Sequence, residues 1–282
     1  MEQVLTRPLA GSFHAPCGRP WRLTLDNAAT IFPSTLSKNQ HHLFRLSARL
    51  KEPVDPAVLQ SALAATAPRF PSMAAGLRRS ALGYYLKPGA RPMQVQPESA
   101  GILRPMSFGE LKRCCLRVLY WGSTVSVEFF HAVCDGVAGS VFLKALLAEY
   151  LEQKHRLPLP CRQGVPSRRE PPLAEELADC YPRCAGETSA PRSSPKAFQL
   201  RGKALRRGRL CTLQIELDEA EVRTCARMHG LTVTELLASA LALSLWEEQK
   251  TSGPNAGAGR CCWPCPSTCG GYSAGTPCAT SR

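Results

Sequence analysis

The stretch from Leu116 to Gln153 constrains the fold more than any other part of the 282-residue chain. Two extended runs, Leu116 to Trp121 and Thr124 to Phe130, are rich in Val, Leu and aromatic residues and meet at Gly122-Ser123. Such residues suit the pleated, half-buried surface of a sheet, and a short link containing glycine suits a hairpin turn. The pattern therefore predicts an antiparallel pair whose second strand delivers His131 at its end. Beyond Asp135 and Gly136, the apolar residues Val137, Val141, Phe142, Ala145, Leu147 and Leu151 recur at helical spacing. They predict an amphipathic helix reaching about Gln153.

Upstream, residues 39–50 alternate, with Phe44, Leu46, Ala48 and Leu50 on one side and Arg45, Ser47 and Arg49 on the other. That is the pattern of a half-buried strand. Asp55 and Pro56 then offer a helix start, since aspartate suits the N-cap and proline the first turn. Val58, Leu59, Ala62, Leu63 and Thr66 carry this helix to Arg69-Phe70-Pro71. Residues 157–195 hold eight prolines and little periodicity, which reads as a connector. A strand is expected again from Leu210 to Leu217, and a short helix from Asp218 to Met228. Thr232 and Glu235 stand at capping-box spacing before an apolar helix, Leu236 to Trp246. The order predicts a mixed α/β protein of two related layers. Its divisions are a first unit over 1–155, a connector over 156–198, the start of a second unit over 199–250 and a tail over 251–282.

The hydrophobic share, 44%, suits a folded chain rather than a disordered one. The first thirty residues lack the apolar core and small-residue cleavage site of a signal peptide. The apolar run Leu236 to Trp246 is far short of the roughly 20 residues a spanning helix needs. A cytoplasmic protein without a transmembrane segment is expected. Of the 14 cysteines, nine are scattered before Thr251 and five crowd between Cys261 and Cys278. Scattered cysteines in such a chain are mostly packed, inert thiols. The net charge of +13 invites a nucleic-acid reading, but the basic residues are dispersed and carry no aromatic interleaving. No nucleic-acid partner is expected, although a basic surface would also attract an anionic cofactor.

Histidine can be neutral at cell pH, take a proton from a nucleophile and return it. Where a strand gives way to a helix, the His131 ring can point into a crevice. Asp135 is better placed to brace the loop, through an arginine or backbone donors, than to touch substrate. Gly136 would permit a tight backbone and close packing. Spacing alone leaves His131 open between a catalytic base and a structural residue. No Gly-x-Ser-x-Gly elbow, P-loop or dinucleotide fingerprint offers a rival centre.

The run F-H-A-V-C-D-G, residues 130–136, resembles the H-x-x-x-D-G signature of a superfamily of acyltransferases. Its members include chloramphenicol acetyltransferase, nonribosomal peptide condensation domains and alcohol acyltransferases. Members often carry two adjacent histidines, of which the second is catalytic; here Phe130 takes the first place and His131 the second. L-K-E-P-V-D-P-A-V-L-Q-S-A-L followed by R-F-P resembles the opening strand and helix of these proteins. L-D-N-A-A-T-I-F-P, residues 25–33, resembles the start of a bacterial alcohol acetyltransferase-like branch. The resemblance runs to about residue 250 and implies an α/β fold, the chloramphenicol acetyltransferase-like mixed-sheet sandwich. It also implies that His131 deprotonates an acceptor hydroxyl or amine, which attacks an acyl thioester carried by coenzyme A or a carrier protein. Acyl-CoA would be a co-substrate, with no permanently bound cofactor, and a small or lipid-like alcohol the acceptor. Asp135 would be a structural brace, Gly136 would set the loop conformation, and Cys134 would be a packed thiol rather than a nucleophile. Two alternatives are an amide-forming condensation-type enzyme and a non-catalytic relative that binds a ligand or partner.

Residues 252–282 contain no Leu, Ile, Val, Phe or Met and no Asp, Glu or Lys, so they cannot bury an apolar face. Cys262, Cys265 and Cys269 are closely spaced, but a structural zinc needs four ligands. Only Cys180 and Cys184 offer a second pair, and no metal site is expected. Read one nucleotide earlier, the codons of the tail permit L-A-V-P-V-N-L-R-R-I-F, preceded by R-R-R-P-V. A basic stretch, a strand and P-V-N-L-R is what the resembled family shows after this helix. The expectation is a frameshift between about Thr251 and Asn255. The N-terminal half would then be complete, with only the start of the second half present. A D-F-G-W-G-like segment and much of the acyl-donor wall would be lost, and activity impaired.

Overall fold

A computed structural model of the chain describes residues 22–37, 40–81, 83–89, 92–98, 101–159, 165–167, 170–178 and 210–251. These fall into two units, one holding residues 22–178 and the other 210–251. The Pro-rich connector is described only in part, and the tail from Ser252 lies outside the described residues.

The first unit is built on a four-stranded mixed sheet. Strands β2 (Leu43–Arg49), β5 (Val95–Pro97), β6 (Leu116–Trp121) and β7 (Thr124–Phe130) lie in the order β2-β7-β6-β5. The predicted hairpin is present: β6 and β7 pair antiparallel from Leu116↔Phe129 to Trp121↔Thr124. Gly122 turns between them at φ 54, a left-handed conformation that glycine adopts without strain. The turn's carbonyls accept from Leu50 N–H (2.9 Å or less, as for Val54 N–H), so the hairpin tip also fixes the approach to the next helix. β2 pairs antiparallel with the other edge of β7, and β5 runs parallel to β6.

Helices cover one face of this sheet. α2 (Pro56–Thr66) starts where expected, with the Asp55 carboxylate accepting from the N–H groups of Ala57 and Val58. A 3₁₀ turn over Ala67–Arg69 ends it. α4 (Gly136–His155) packs beside α2, and the Tyr150 hydroxyl accepts from Asp55 N–H at 2.9 Å. The buried stripe of α4 is Ala138, Gly139, Phe142, Leu143, Ala145, Leu146 and Tyr150. Val137, expected on the apolar face, is exposed instead, because that face begins one residue later. Leu59, Leu63, Phe129, Phe142 and Leu146 meet in the core between helices and sheet.

Further elements were not anticipated from periodicity. β1 (Leu23–Thr24), β3 (Ala75–Ser80) and β4 (Gly83–Pro88) form a second sheet, antiparallel, in the order β1-β4-β3. α1 (Asn27–Ser34) is capped by Asp26, and α3 (Phe108–Arg113) by a reciprocal Ser107–Glu110 capping box. The described residues thus form a mixed α/β fold with two sheets.

In the second unit, Asp218 caps α5 (Glu219–Met228) by accepting from Glu221 N–H at 3.0 Å. The capping box before α6 (Val233–Thr251) is formed as read: Thr232 N–H donates to Glu235 and Glu235 N–H to the Thr232 hydroxyl. The strand expected over 210–217 is corrected: the segment is irregular, with no ladder partner among the described residues. Alternating side chains do not make a strand unless a neighbour satisfies its backbone groups. Among the described residues no single helix is long and apolar enough to cross a membrane; α5 and α6 reach that length together only across an 81° bend.

Candidate active site

His131 stands one residue beyond β7, one of the two inner strands of the sheet. Its N–H donates to the carbonyl of His42 at 2.8 Å, extending the β2–β7 pairing past the end of the ladder. His42 holds that carbonyl in position with a left-handed backbone, φ 47, uncommon outside glycine. The chain then bends sharply. Val133 N–H donates to Phe130 C=O at 3.1 Å, and Ala132, Val133 and Cys134 are buried in the core. Asp135 ends the bend and begins α4.

The spacing from His131 to Asp135 therefore has a physical meaning. One residue leaves a strand, three bury themselves in a turn, and the fifth caps a helix. Asp135 Oδ1 accepts from Ala138 N–H at 2.8 Å, and its carbonyl accepts from Gly139 N–H at 2.9 Å. Of the two expected braces, backbone donors are the ones used. Among the described residues Asp135 forms no ion pair with an arginine.

Gly136 requires a correction. It is the first helical residue of α4, its φ is not positive, and a Cβ added there would meet nothing within 4 Å. Neither a tight backbone nor close packing calls for glycine at this position. Close packing falls three residues on, at Gly139. A Cβ there would come within 3.1 Å of Phe44 Cε2 and 3.3 Å of Leu46 Cδ1 and Phe129 Cε2. Gly139 lets α4 lie close to the sheet beside the site, and the sequence reading passed over it.

The His131 ring is half-buried and bounded by aromatic side chains. Phe32 of α1 stacks on it nearly parallel, with centroids 4.7 Å apart and planes at 13°. Phe44 of β2 leans against it at 5.0 Å and 58°, and itself stacks on Phe129 at 5.1 Å. These contacts were invisible to spacing, since they join parts of the chain far apart in sequence. The available signal was Asp26 ahead of Asn27-Ala28-Ala29, an N-cap before a helix that presents Phe32.

Cys134 is buried, and desolvation, with the neighbouring Asp135 charge adding to it, pushes its thiol well above the ordinary range. A thiol held protonated is a poor nucleophile, which agrees with a packed role. Burial likewise pushes the Cys114 thiol up to about 11. Among the described residues no group of three or more His, Cys, Asp or Glu side chains is placed to hold a metal ion. Cys180, Cys184, Cys262, Cys265 and Cys269 lie outside the described residues. Near the first turns of α4, a shallow, mostly apolar recess is lined by Phe70, Met73, Ala138, Val141, Pro172 and Leu177. Arg69 and Glu176 close its rim through a two-pronged ion pair, 2.5 and 2.8 Å.

No protein-family profile matches the chain, and no curated protein matches it in sequence. Solved structures do. Polyketide synthase associated protein 5 from Mycobacterium tuberculosis is 18% identical, with a TM-score of 0.49, over 79% of this chain and 55% of that one. The X-domain from teicoplanin biosynthesis is 16% identical, with a TM-score of 0.48, over 85% of this chain and 59% of that one. The first condensation domain of the calcium-dependent antibiotic synthetase is 16% identical, with a TM-score of 0.39, over 50% of this chain and 40% of that one. The chain spans between 40% and 59% of the length of these three structures. At these identities and TM-scores the likenesses carry nothing about family, reaction, donor or acceptor.

Proposed function

We propose that His131 is the general base of an acyl transfer from a coenzyme A thioester to an alcohol. The observation that carries this reading is the way His131 is held. Its backbone is pinned to His42, its ring is stacked on Phe32 and half-exposed, and Asp135 is engaged as a helix cap rather than as a competitor for the ring. The H-x-x-x-D-G resemblance gives that arrangement its chemistry.

In the proposed reaction the neutral imidazole takes the proton of the acceptor hydroxyl as the oxygen attacks the thioester carbonyl. The tetrahedral intermediate collapses, the carbon–sulfur bond breaks, and the imidazolium returns its proton to the departing thiolate. The products are an ester and free coenzyme A, and no acyl-enzyme is formed. Cys134, buried and protonated, takes no part. The test is thiol release by the full chain from acetyl-CoA and longer acyl-CoA, with short alcohols, long-chain alcohols and amines as acceptors. His131→Gln is expected to lower the rate by about 10²- to 10⁴-fold, the usual worth of a positioned base. An unchanged rate in that variant overturns the assignment. Turnover confined to amine acceptors would replace ester formation with amide formation, and acyl-CoA binding that stays without turnover once the frame of the tail is restored would replace catalysis with binding.

A further inference from the structure

We infer that Phe32 is a positioning residue for His131, and that α1 with the turn before β2 forms a clamp that fixes the imidazole plane. The inference rests on the reading of His131 as a base. Among the described residues, the aromatic contacts of the His131 ring come from Phe32 and Phe44. Phe32 stacks on its face at 4.7 Å and 13°, and Phe44 leans against it at 5.0 Å. The stretch between these two residues supplies the carbonyl of His42 that accepts the His131 N–H.

The clamp is braced internally. Asp26 fixes the start of α1, accepting from Ala29 N–H at 2.5 Å, and buried Pro33 follows Phe32. At the far end of α1, the Thr35 hydroxyl lies 2.8 Å from His42 Nε2 and donates to the Ile31 carbonyl at 2.8 Å. Phe32 also meets the His42 ring edge-on at 5.5 Å and 69°. One aromatic side chain thus touches both the imidazole that would react and the residue holding its backbone.

The chemistry explains why a face contact is useful here. An imidazole nitrogen accepts a proton along its lone pair, which lies in the ring plane. A phenyl ring stacked on the face leaves that direction open while it resists tumbling of the ring about χ1 and χ2. Holding a base within a narrow angular range is worth large factors in rate, because the barrier no longer includes finding that orientation. An aliphatic residue in the same place would fill the space without imposing a plane.

The experiment uses the full chain and three variants, Phe32→Leu, Phe32→Tyr and His131→Gln. Proton NMR without substrate reads the contact directly. The ring protons of His131, assigned by their loss in His131→Gln, are expected to be displaced upfield by the stacked phenyl ring. Phe32→Leu should remove the part of the displacement that Phe32 causes, leaving what Phe44 contributes, and Phe32→Tyr should keep it whole. With acyl-CoA and an alcohol, Phe32→Leu is expected to lower kcat about ten- to a hundredfold with KM unchanged, and Phe32→Tyr to restore it. Ring protons that do not move in Phe32→Leu overturn the contact. A Leu variant that has lost that part of the displacement yet keeps the wild-type kcat overturns the positioning role alone. A rate that His131→Gln leaves unchanged overturns the base assignment, and it does so independently of the NMR result. Should Phe32→Leu fail to fold, Phe32→Met gives the same two readouts, filling the space with a flexible chain that has no ring.

Discussion

Glu128 lies on β7, three residues before His131, and is 1% exposed. It points to the sheet face away from the helices, between Arg45 on β2 and Arg117 on β6, its register partners on the two sides. Arg117 donates to Glu128 Oε2 at 2.6 Å, and Leu103 N–H donates to Oε1 at 2.8 Å. Arg45 reaches Oε1 at 3.4 Å, Glu98 at 2.8 Å and the Ser126 hydroxyl at 2.8 Å. The Glu98 hydrogen bond is the main reason Arg45 is held charged beyond its ordinary range. A buried cation that loses its counter-charge cannot recover its water, so breaking such a pair costs far more than the pair itself contributes. Glu128→Ala is therefore expected to lower the unfolding free energy by about 3–5 kcal/mol. Urea denaturation followed by circular dichroism measures it. A loss under about 1 kcal/mol would mean that the network is wetted and screened like a surface pair.

Among the elements, α4 separates what local sequence specifies from what only packing specifies. Its length and the change from strand to helix before it follow from neighbours within a few residues, so they were legible. The same holds for the β6–β7 hairpin, for α2 and for the Thr232–Glu235 box. The two glycines at the start of α4 were not legible, because which of them touches the sheet depends on β2 and β7. Gly136 was expected to be the tight one, and it faces open space; Gly139 meets Phe44, Leu46 and Phe129. The short elements β1, β5 and α1 escaped for a related reason. At 2, 3 and 8 residues they are too brief to show a period. Within the site, His131 and Asp135 were legible from the motif, whereas Phe32 and Phe44 became visible only once α1 and β2 were folded beside β7. The packing contrast yields a paired prediction. Gly136→Ala should leave the unfolding free energy within about 0.5 kcal/mol of wild type, since the new methyl group meets nothing and helix propensity rises. Gly139→Val should cost about 2–3 kcal/mol, because Phe129 is fully buried and Phe44 is held between Phe129 and His131. Chemical denaturation of both variants gives the comparison; equal effects would refute the packing account.

At the scale of the whole molecule, the two units differ in what they bury. The first closes a core in which Leu59, Leu63, Phe129, Phe142 and Tyr150 are fully buried, with β7 hydrogen-bonded along both edges. In the second, Ala226 is the one buried hydrophobic residue among those described, and Leu213, Ile215 and Leu217 alternate along an irregular segment with Leu213 88% exposed. Amides in a paired central strand exchange only when the sheet opens, whereas amides without a ladder partner exchange whenever water reaches them. Hydrogen exchange on the full chain, read by mass spectrometry of its peptides, should therefore divide the molecule. Peptides covering Val125–Phe129 and Phe142–Tyr150 should be the slowest, set by global unfolding. Peptides covering Leu210–Leu217 should exchange at close to the unprotected rate, and α5 and α6 should fall between. If Leu210–Leu217 were as protected as β7, the segment would have found a strand partner in solution, and the alternation of Leu213, Ile215 and Leu217 would then have been a correct strand signal.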